Sequence, residues 1–139
     1  MEAGLYINFK NSSAEAMKFY EGVFNTKIEN SMSYGQMPED DDFKIDDSIK
    51  DLILNASMTI HEMNIMFSDV VDGMSMPLVI GNNITIVINT KDEQKLRNEF
   101  KLLAEGGNVT MPLEKTFWSE LYGYVIDKYG IGWQFNLAK

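Results

Sequence analysis

The feature that most constrains the fold of this chain is an internal repeat of strand and helix signals. In each half, a short alternating strand leads into an amphipathic helix, and three more strand-like segments follow. The first half opens with a strand at 5–9, and the second opens at 83–89 with a strand rich in β-branched residues. Such a repeat sets the architecture before any single element does, because both halves must build the same substructure. The order predicts an α+β fold of two βαβββ modules, residues 1–69 and 83–139, within one domain spanning 1–139.

Both predicted helices carry the same start signal and a clear apolar stripe. Ser12 with Glu15, and Thr90 with Glu93, have the spacing of a capping box, in which the two side chains satisfy exposed amides of the first turn. The glycine pair 106–107 predicts the end of the second helix. Apolar residues at helical spacing predict the buried face of each helix: Met17, Tyr20, Val23 and Phe24 in the first, and Leu96, Phe100 and Leu103 in the second.

Turn residues join the remaining strands into hairpins. His61-Glu62 is a predicted turn between strands at 52–60 and 64–67, and residues 127–130 join the last two strands. Gly130 suits a left-handed turn position. A sheet built in this order can curl into an open cup, with the helices on its outer face and a cavity within.

Composition excludes several classes of partner. The chain has 139 residues with 21 acidic and 12 basic side chains, which gives a formal charge of −9. Nucleic acid and anionic membranes need a positive surface, so neither is expected as the main partner. There is no cysteine, no apolar stretch long enough to span a membrane and no signal-peptide pattern at the N-terminus. We therefore expect a soluble, cytoplasmic protein.

Three segments carry a family resemblance. They are LLAEGGNVTMPLEKTFWSELYGYVIDKYGIGWQFNL near the C-terminus, INFKNSSAEAMKFYEGVFNTKI near the N-terminus, and ASMTIHEMNIMFSD between them. Together they resemble the PhnB-like proteins of the glyoxalase/bleomycin resistance/dioxygenase superfamily, also called the vicinal oxygen chelate superfamily. The resemblance implies paired βαβββ modules, a cup-shaped site and a homodimer. The wider superfamily that it implies includes glyoxalases, extradiol dioxygenases, fosfomycin-modifying enzymes and drug-sequestering proteins.

Some PhnB-like sequences are described as methyltransferases. A nucleotide-binding loop of the glycine-rich type does not follow the opening strand of this chain. The sequence therefore gives no independent support for that activity.

The chain is poor in the ligands that superfamily enzymes use to hold a divalent metal. Its one histidine, His61, falls in a predicted turn, and the resemblance places Asn55 where many relatives have a histidine. Asn8 and Thr85 stand where relatives have better donors, and neutral amides and hydroxyls are weak ligands for transition metals. We therefore expect no metal and no other cofactor, with His61 as the only weak metal candidate.

The segment 35–51 contains seven acidic side chains. An EF-hand loop needs a glycine at its sixth position and a glutamate at its twelfth, but counting from Asp40 these positions hold Ile45 and Asp51. The pattern favours a solvated loop over a calcium site.

Aromatic and small polar side chains remain as candidates for a small-molecule pocket. Aromatic walls with a few hydrogen-bonding groups are typical of such pockets, although core or dimer packing is the favoured explanation for any single ring. Strand alternation allows Asn55 and Ser57 to share one face. The candidate pocket residues are Asn8, Asn55, Ser57, Thr85, Trp118, Tyr122 and Trp133.

Three functions stay open at this point. The first is a metal-independent dimeric cup that binds a small, partly aromatic molecule. The second is a divalent-metal-dependent lyase or dioxygenase-like enzyme with atypical ligands, such as His61 with Glu62 or a carboxylate of the acidic loop. The third is a structural or regulatory dimer without a ligand. Fold resemblance alone does not choose among them.

Overall fold

The computed structural model describes residues 1–139 and contains two compact units, Met1–Val79 and Ile80–Lys139. The first unit contains β1 (Leu5–Phe9), α1 (Ser13–Phe24), β2 (Ile28–Ser33), a 3₁₀ turn (Tyr34–Gln36), β3 (Ile53–Ile60) and β4 (Met63–Asp69). The second contains β5 (Ile86–Thr90), α2 (Glu93–Ala104), β6 (Asn108–Glu114), β7 (Tyr122–Ile126) and β8 (Gly132–Leu137).

Each unit forms a four-stranded mixed sheet with the same topology. The strand orders are β1-β4-β3-β2 and β5-β8-β7-β6. In both sheets the first and last strands of the unit pair in parallel, and the other neighbours are antiparallel. The α+β prediction of two βαβββ modules is confirmed, while the single domain, the module boundaries and the cup stay predictions.

One face of the first sheet packs against α1. Phe67 pairs in register with Ile7 and Ala56, so these side chains share a face, and all three are buried. The ring of Phe67 lies 6.1 Å from that of Tyr20 on α1. The predicted apolar stripe of α1 is buried throughout, and full burial of each large apolar side chain contributes about 1.5–3 kcal/mol.

The second unit repeats this arrangement with different side chains. Phe135 pairs with Ile88 and Gly123, and its ring meets Phe100 of α2 edge-on at 5.7 Å. A Cβ at Gly123 would lie 2.8 Å from the Phe100 ring, so the helix approaches the sheet closely at this glycine. The predicted stripe of α2 is buried.

The predicted capping boxes are wrong, and each helix begins with a different partner. Ser12 is the N-cap of α1 but its side chain makes no cap bond; instead Asp69 accepts a hydrogen bond from the backbone N–H of Ser13 at 2.9 Å. In α2 the N-cap is Asp92, which accepts from the N–H of Lys95 at 3.0 Å. Thr90, two residues before this N-cap, accepts from the N–H of Asp92. The spacing located the start of α1, placed the start of α2 two residues too early, and did not identify the side chains that cap either helix.

The opening strand of the second unit is shorter than predicted. It begins at Ile86, which pairs with Trp133, and β8 begins only one residue earlier, at Gly132. Residues 83–85 therefore lie beyond the ladder and outside the strand. The predicted turns at His61-Glu62 and 127–130 are confirmed, with Gly130 at a φ of 88°.

Neither helix of the chain is long and apolar enough to cross a membrane. Both contain 12 residues.

Candidate functional site

The face of the first sheet that points away from α1 carries neutral polar side chains. We call it the unit-1 face; three hydrogen bonds tie its members across the strands. Ser68 donates to Asn8 at 2.9 Å, Asn55 donates to the Tyr6 hydroxyl at 3.2 Å, and Asn30 donates to Ser57 at 3.4 Å. The predicted sharing of one face by Asn55 and Ser57 is confirmed by the β3–β4 register. The residues of the unit-1 face are Tyr6, Asn8, Asn30, Asn55, Ser57 and Ser68.

The corresponding face of the second sheet points away from α2 and combines polar with aromatic side chains. We call it the unit-2 face. Its strand alternation is fixed by Phe135, which faces α2, so Gln134 and Asn136 point to the other side. The residues of the unit-2 face are Thr85, Asn89, Tyr122, Tyr124, Gln134 and Asn136, with Trp118 beside them.

Gln134 lies at the centre of the unit-2 face and bonds on both sides. The Tyr122 hydroxyl donates to Gln134 Oε1 at 2.5 Å, and Gln134 Nε2 donates to the Thr85 hydroxyl oxygen at 2.6 Å. In this arrangement the amide oxygen of Gln134 lies against Tyr122 and the amide nitrogen lies against Thr85. The same face contains a second side-chain hydrogen bond, in which Asn136 donates to Asn89 at 3.0 Å.

Burial raises the pKa of the Tyr122 hydroxyl above its ordinary value, and the neighbouring Tyr124 adds to this effect. A phenol with a raised pKa keeps its proton well into alkaline solution. Tyr122 therefore remains a donor to Gln134 across the physiological range.

Aromatic rings border these polar side chains of the unit-2 face. The rings of Trp118 and Tyr122 lie 5.4 Å apart, and Phe117 meets Trp118 edge-on at 4.8 Å. Trp118 is 53% exposed and Phe117 is 98% exposed, so neither is ordinary core. The unit-2 face thus offers a half-exposed ring next to fixed hydrogen-bonding groups.

A glycine lets these side chains come together. A Cβ at Gly132 would lie 2.9 Å from both Thr85 Cγ2 and the Tyr124 hydroxyl. Real side-chain carbons essentially never come that close. Only glycine at this position allows Thr85 and Tyr124 to lie side by side on the face.

Trp133 is not brought together with the other predicted pocket residues. It is fully buried on the α2 side of the sheet, paired in register with Ile86 and Val125. Its indole N–H donates to Asp127 at 2.8 Å, and this buried bond attaches the β7–β8 turn to β8. One residue of strand alternation separates it from Gln134 and turns it to the opposite face.

The other six candidates divide between the two units. Asn8, Asn55 and Ser57 lie on the unit-1 face, and Thr85, Trp118 and Tyr122 lie on or beside the unit-2 face. The sequence prediction missed the other members of the two faces, including Tyr6, Ser68, Tyr124 and Gln134. Each of these four is adjacent to a buried strand residue (Ile7, Phe67, Val125 and Phe135, respectively), and adjacent side chains on a strand point to opposite faces.

His61 does not lie on the unit-1 face. It occupies the β3–β4 turn in a left-handed conformation, with a φ of 54°, and is exposed. Its ring meets Phe24 at the end of α1 edge-on, with centroids 5.8 Å apart, so it lies on the helix side of the first sheet. Within each unit, no group of three His, Asp or Glu side chains is placed to hold a metal ion.

The acidic segment 35–51 forms a series of turns after the 3₁₀ turn. Asp40 accepts from the N–H of Phe43, and Asp46 accepts from both the N–H and the hydroxyl of Ser48. The bonds from Ser48 hold the pKa of Asp46 below its ordinary value. Ile45 is buried and fastens the middle of the segment to its unit.

Comparison with known proteins places this arrangement in a family. A family model described as 3-demethylubiquinone-9 3-methyltransferase matches residues 3–136. Protein YjdN of Escherichia coli K12 is 24% identical over 140 residues, covering 96% of this chain and 93% of that protein.

Solved structures show the same fold. Protein PA1353 from Pseudomonas aeruginosa is 27% identical with a TM-score of 0.85, covering 98% of this chain and 96% of the other. The PhnB protein from Bacillus cereus is 23% identical with a TM-score of 0.79, covering 99% and 100%. The fosfomycin resistance protein FosX from Listeria monocytogenes shares the fold at 11% identity, with a TM-score of 0.65 and coverage of 100% and 94%.

The family match extends over nearly the whole chain, and the repeated βαβββ units agree with it. The resemblance seen in the sequence is thereby confirmed. This chain belongs to the PhnB-like family, whose model is described as 3-demethylubiquinone-9 3-methyltransferase, and it has the fold of the vicinal oxygen chelate superfamily.

Proposed function

We propose that this PhnB-like protein binds a small, partly aromatic molecule without a metal ion. The observation that carries the proposal is the chemistry of the unit-1 and unit-2 faces. Their hydrogen-bonding groups are amides and hydroxyls, and the unit-2 face adds the rings of Trp118, Tyr122 and Tyr124. Small-molecule sites are typically built from apolar and aromatic surface with a few placed polar groups.

The neutrality of these groups distinguishes binding from metal chemistry. A superfamily metal centre uses imidazole and carboxylate ligands, which are strong donors for divalent ions. The positions where the resemblance expects metal ligands hold Asn8 and Asn55 on the unit-1 face and Thr85 on the unit-2 face, each engaged in a hydrogen bond to a neighbouring side chain. His61, the one imidazole, lies on the other side of that sheet. No contact in the structure favours the metal-dependent lyase or dioxygenase alternative.

A homodimer in the cytoplasm is part of this proposal. Several large apolar side chains are strongly exposed, among them Phe117 at 98%, Val79 at 87% and Met76 at 86%. Exposed apolar surface of this kind favours cover by another protein chain, and a second copy is the simplest source. The absence of cysteine suits a reducing compartment. Sedimentation equilibrium tests the dimer, and a monomer at high protein concentration contradicts it.

The binding proposal is tested by a ligand screen with two readouts. A thermal-shift screen of small aromatic compounds identifies ligands, because a molecule that binds only the folded state raises the melting temperature. The chain contains two tryptophans, of which Trp118 is half exposed and Trp133 is buried. A ligand at the unit-2 face is expected to change Trp118 fluorescence, and the Trp118→Phe variant removes that response while the Trp133 signal stays.

The same protein also tests the alternative. Metal analysis of protein purified without a tag or chelator is expected to show no stoichiometric transition metal. One metal per chain that supports turnover would contradict the proposal. A screen in which no small molecule raises the melting temperature would leave only a structural or regulatory role.

A further inference from the structure

The hydrogen-bond network around Gln134 has donors left over for a ligand. The Gln134 amide has two N–H groups, of which one bonds Thr85. The Thr85 hydroxyl accepts that bond, so its own O–H is available to donate. Gln134 Oε1, the acceptor of the pair, is occupied by the Tyr122 hydroxyl. The network therefore presents two adjacent donors, while its amide oxygen already accepts one hydrogen bond.

The unused hydrogens of Gln134 and Thr85 determine which ligand atoms this network can bind. A free glutamine could rotate its amide and offer either an oxygen or a nitrogen to a ligand. Here the Tyr122 hydroxyl holds the oxygen at 2.5 Å, and the raised pKa of Tyr122 keeps that donor protonated. Gly132 leaves the space that brings Thr85 against the same strand. Two donors held side by side favour a ligand oxygen with two lone pairs, such as a carbonyl or a carboxylate.

The charge of the surrounding side chains favours a carbonyl oxygen over a carboxylate oxygen as the ligand group. The members of the network are neutral, and the residue paired with Tyr122 on β6 is Glu114, which is acidic. The chain as a whole has a formal charge of −9. A carboxylate bound here would lose hydration without gaining a cationic partner, which is unfavourable. A neutral carbonyl oxygen meets both donors without that penalty.

The neighbouring rings define the rest of the ligand. Trp118 is half exposed and lies edge-on to Tyr122, 5.4 Å away, so its ring borders the Gln134 network. Aromatic rings stabilise one another at such separations beyond simple burial of area. A ligand whose carbonyl group is attached directly to an aromatic ring can place its oxygen on the donors and its ring against Trp118.

We propose that the Thr85–Gln134–Tyr122 network is the carbonyl-binding subsite of a pocket for neutral aromatic carbonyl compounds. This inference rests on the proposed binding function and specifies its ligand class. Gln134 and Thr85 donate to the carbonyl oxygen, Tyr122 positions the Gln134 amide, and Trp118 contacts the ring. Selectivity comes from the two donors and from the neutrality of the side chains that form the network.

The experiment uses three matched probes on the full-length protein. Acetophenone has the aromatic ring and a neutral carbonyl, benzoate replaces the carbonyl with a carboxylate, and ethylbenzene keeps the ring and removes the oxygen. Binding is followed by ¹H–¹⁵N NMR, which reports the side-chain amide of Gln134 and the indole N–H of Trp118 separately. Acetophenone is expected to shift both signals, ethylbenzene only that of Trp118, and benzoate is expected to bind roughly tenfold more weakly than acetophenone.

Variants separate the donors from general disturbance of the fold. Thr85→Val keeps the shape and removes the hydroxyl, and Gln134→Glu keeps the size and replaces the amide donors with a carboxylate. Each is expected to weaken acetophenone binding roughly tenfold while the remaining NMR spectrum is preserved. Thr59→Val makes the same chemical change on β3, where Thr59 bonds Glu29, and is expected to leave the affinity unchanged.

Several results would overturn the assignment. Benzoate binding as tightly as acetophenone would refute the neutral ligand class, and an unchanged affinity in Thr85→Val would refute the donor role. Shifts confined to Asn55 and its neighbours would place the ligand on the unit-1 face, which overturns this inference and leaves the proposed binding function intact. If no compound in the wider screen binds at all, the proposed function itself fails.

Discussion

Two buried aspartates organise the units at the scale of single residues. Asp69 at the end of β4 accepts from the backbone N–H groups of Ser13 and Ile53, both at 2.9 Å, and so joins a helix start to a strand start. Asp127 in the β7–β8 turn accepts from the N–H groups of Tyr129 and Ile131. Both carboxylates are almost completely buried, where each hydrogen bond counts most because water cannot replace it.

Replacing Asp69 by alanine is expected to lower the free energy of unfolding by about 2–4 kcal/mol, because it leaves two buried backbone donors unsatisfied. Ser12→Ala is the matched control, since the Ser12 side chain makes no cap bond. That variant is expected to change stability by less than about 0.5 kcal/mol. Urea denaturation measures both. Equal effects of the two substitutions would show that Asp69 is not the partner that starts α1.

Tyr34 makes stability depend on alkaline pH. Burial raises the pKa of its hydroxyl above the ordinary value of 10.0, and the hydroxyl donates to the backbone oxygen of Asp69 at 2.8 Å. Because the pKa is raised in the folded state, the unfolded chain releases this proton first as the pH increases. The stabilising contribution is therefore complete below pH 10.0 and is lost as the pH rises through the higher folded-state value.

In Tyr34→Phe the free energy of unfolding is expected to fall less steeply with pH above 10.0 than in the wild type. The comparison concerns the slope, since the substitution also removes a hydrogen bond at every pH. Chemical denaturation at a series of alkaline pH values gives both slopes. Parallel curves would mean that Tyr34 titrates alike in the folded and unfolded chain.

At the scale of elements, glycines act in opposite ways according to their surroundings. Gly22 lies inside α1, and a Cβ there would meet nothing within 4 Å. Gly107 follows α2, and a Cβ there would lie 2.4 Å from the backbone oxygen of Ile126. Backbone atoms of a paired strand cannot move aside as a flexible side chain can, so only the second glycine is required by close packing.

Gly22→Ala is expected to raise the free energy of unfolding by about 0.5–1 kcal/mol, because alanine loses less backbone entropy in a helix. Gly107→Ala is expected to lower it by about 2 kcal/mol or more, because β6 must shift away from β7. Thermal unfolding of the two variants beside the wild type distinguishes these signs. Destabilisation by Gly22→Ala would contradict the open surroundings of that residue.

At the scale of the whole molecule, the repeat gives two sheets of one topology with different chemistry. In register, Asn55 on β3 corresponds to Tyr122 on β7, and Met66 on β4 corresponds to Gln134 on β8. The unit-1 face is therefore mainly small and polar, and the unit-2 face is aromatic around a fixed amide. The two copies of the module therefore present different sets of side chains on corresponding faces.

The net charge of the molecule is expected to make stability depend on salt. With a formal charge of −9, the folded chain repels itself, and added salt screens that repulsion. The melting temperature is expected to rise between about 0.01 M and about 0.2 M NaCl. The double variant Asp41→Asn/Asp42→Asn removes two exposed negative charges and should show a smaller rise. An equal rise in both proteins would assign the effect to something other than net charge.

The sequence by itself determined the order of elements and the buried face of each helix. Strand alternation at 5–9, the helical stripe of Met17 to Phe24, and the turns at His61-Glu62 and Gly130 are local patterns. Local patterns are readable because a strand repeats every two residues and a helix every 3.6. The family resemblance also lies in contiguous segments and could be seen without coordinates.

Only the tertiary structure decided which distant groups meet. Asp69 caps α1 from 56 positions away, and Gln134 bonds Thr85 across 49 positions. The β5–β8 register places Trp133 in the core and Gln134 on the unit-2 face. The sequence alone indicates Trp133, and not Gln134, as a candidate pocket residue. Such partners depend on strand pairing between segments far apart in the chain, and the spacing of residues along the chain does not encode that pairing directly.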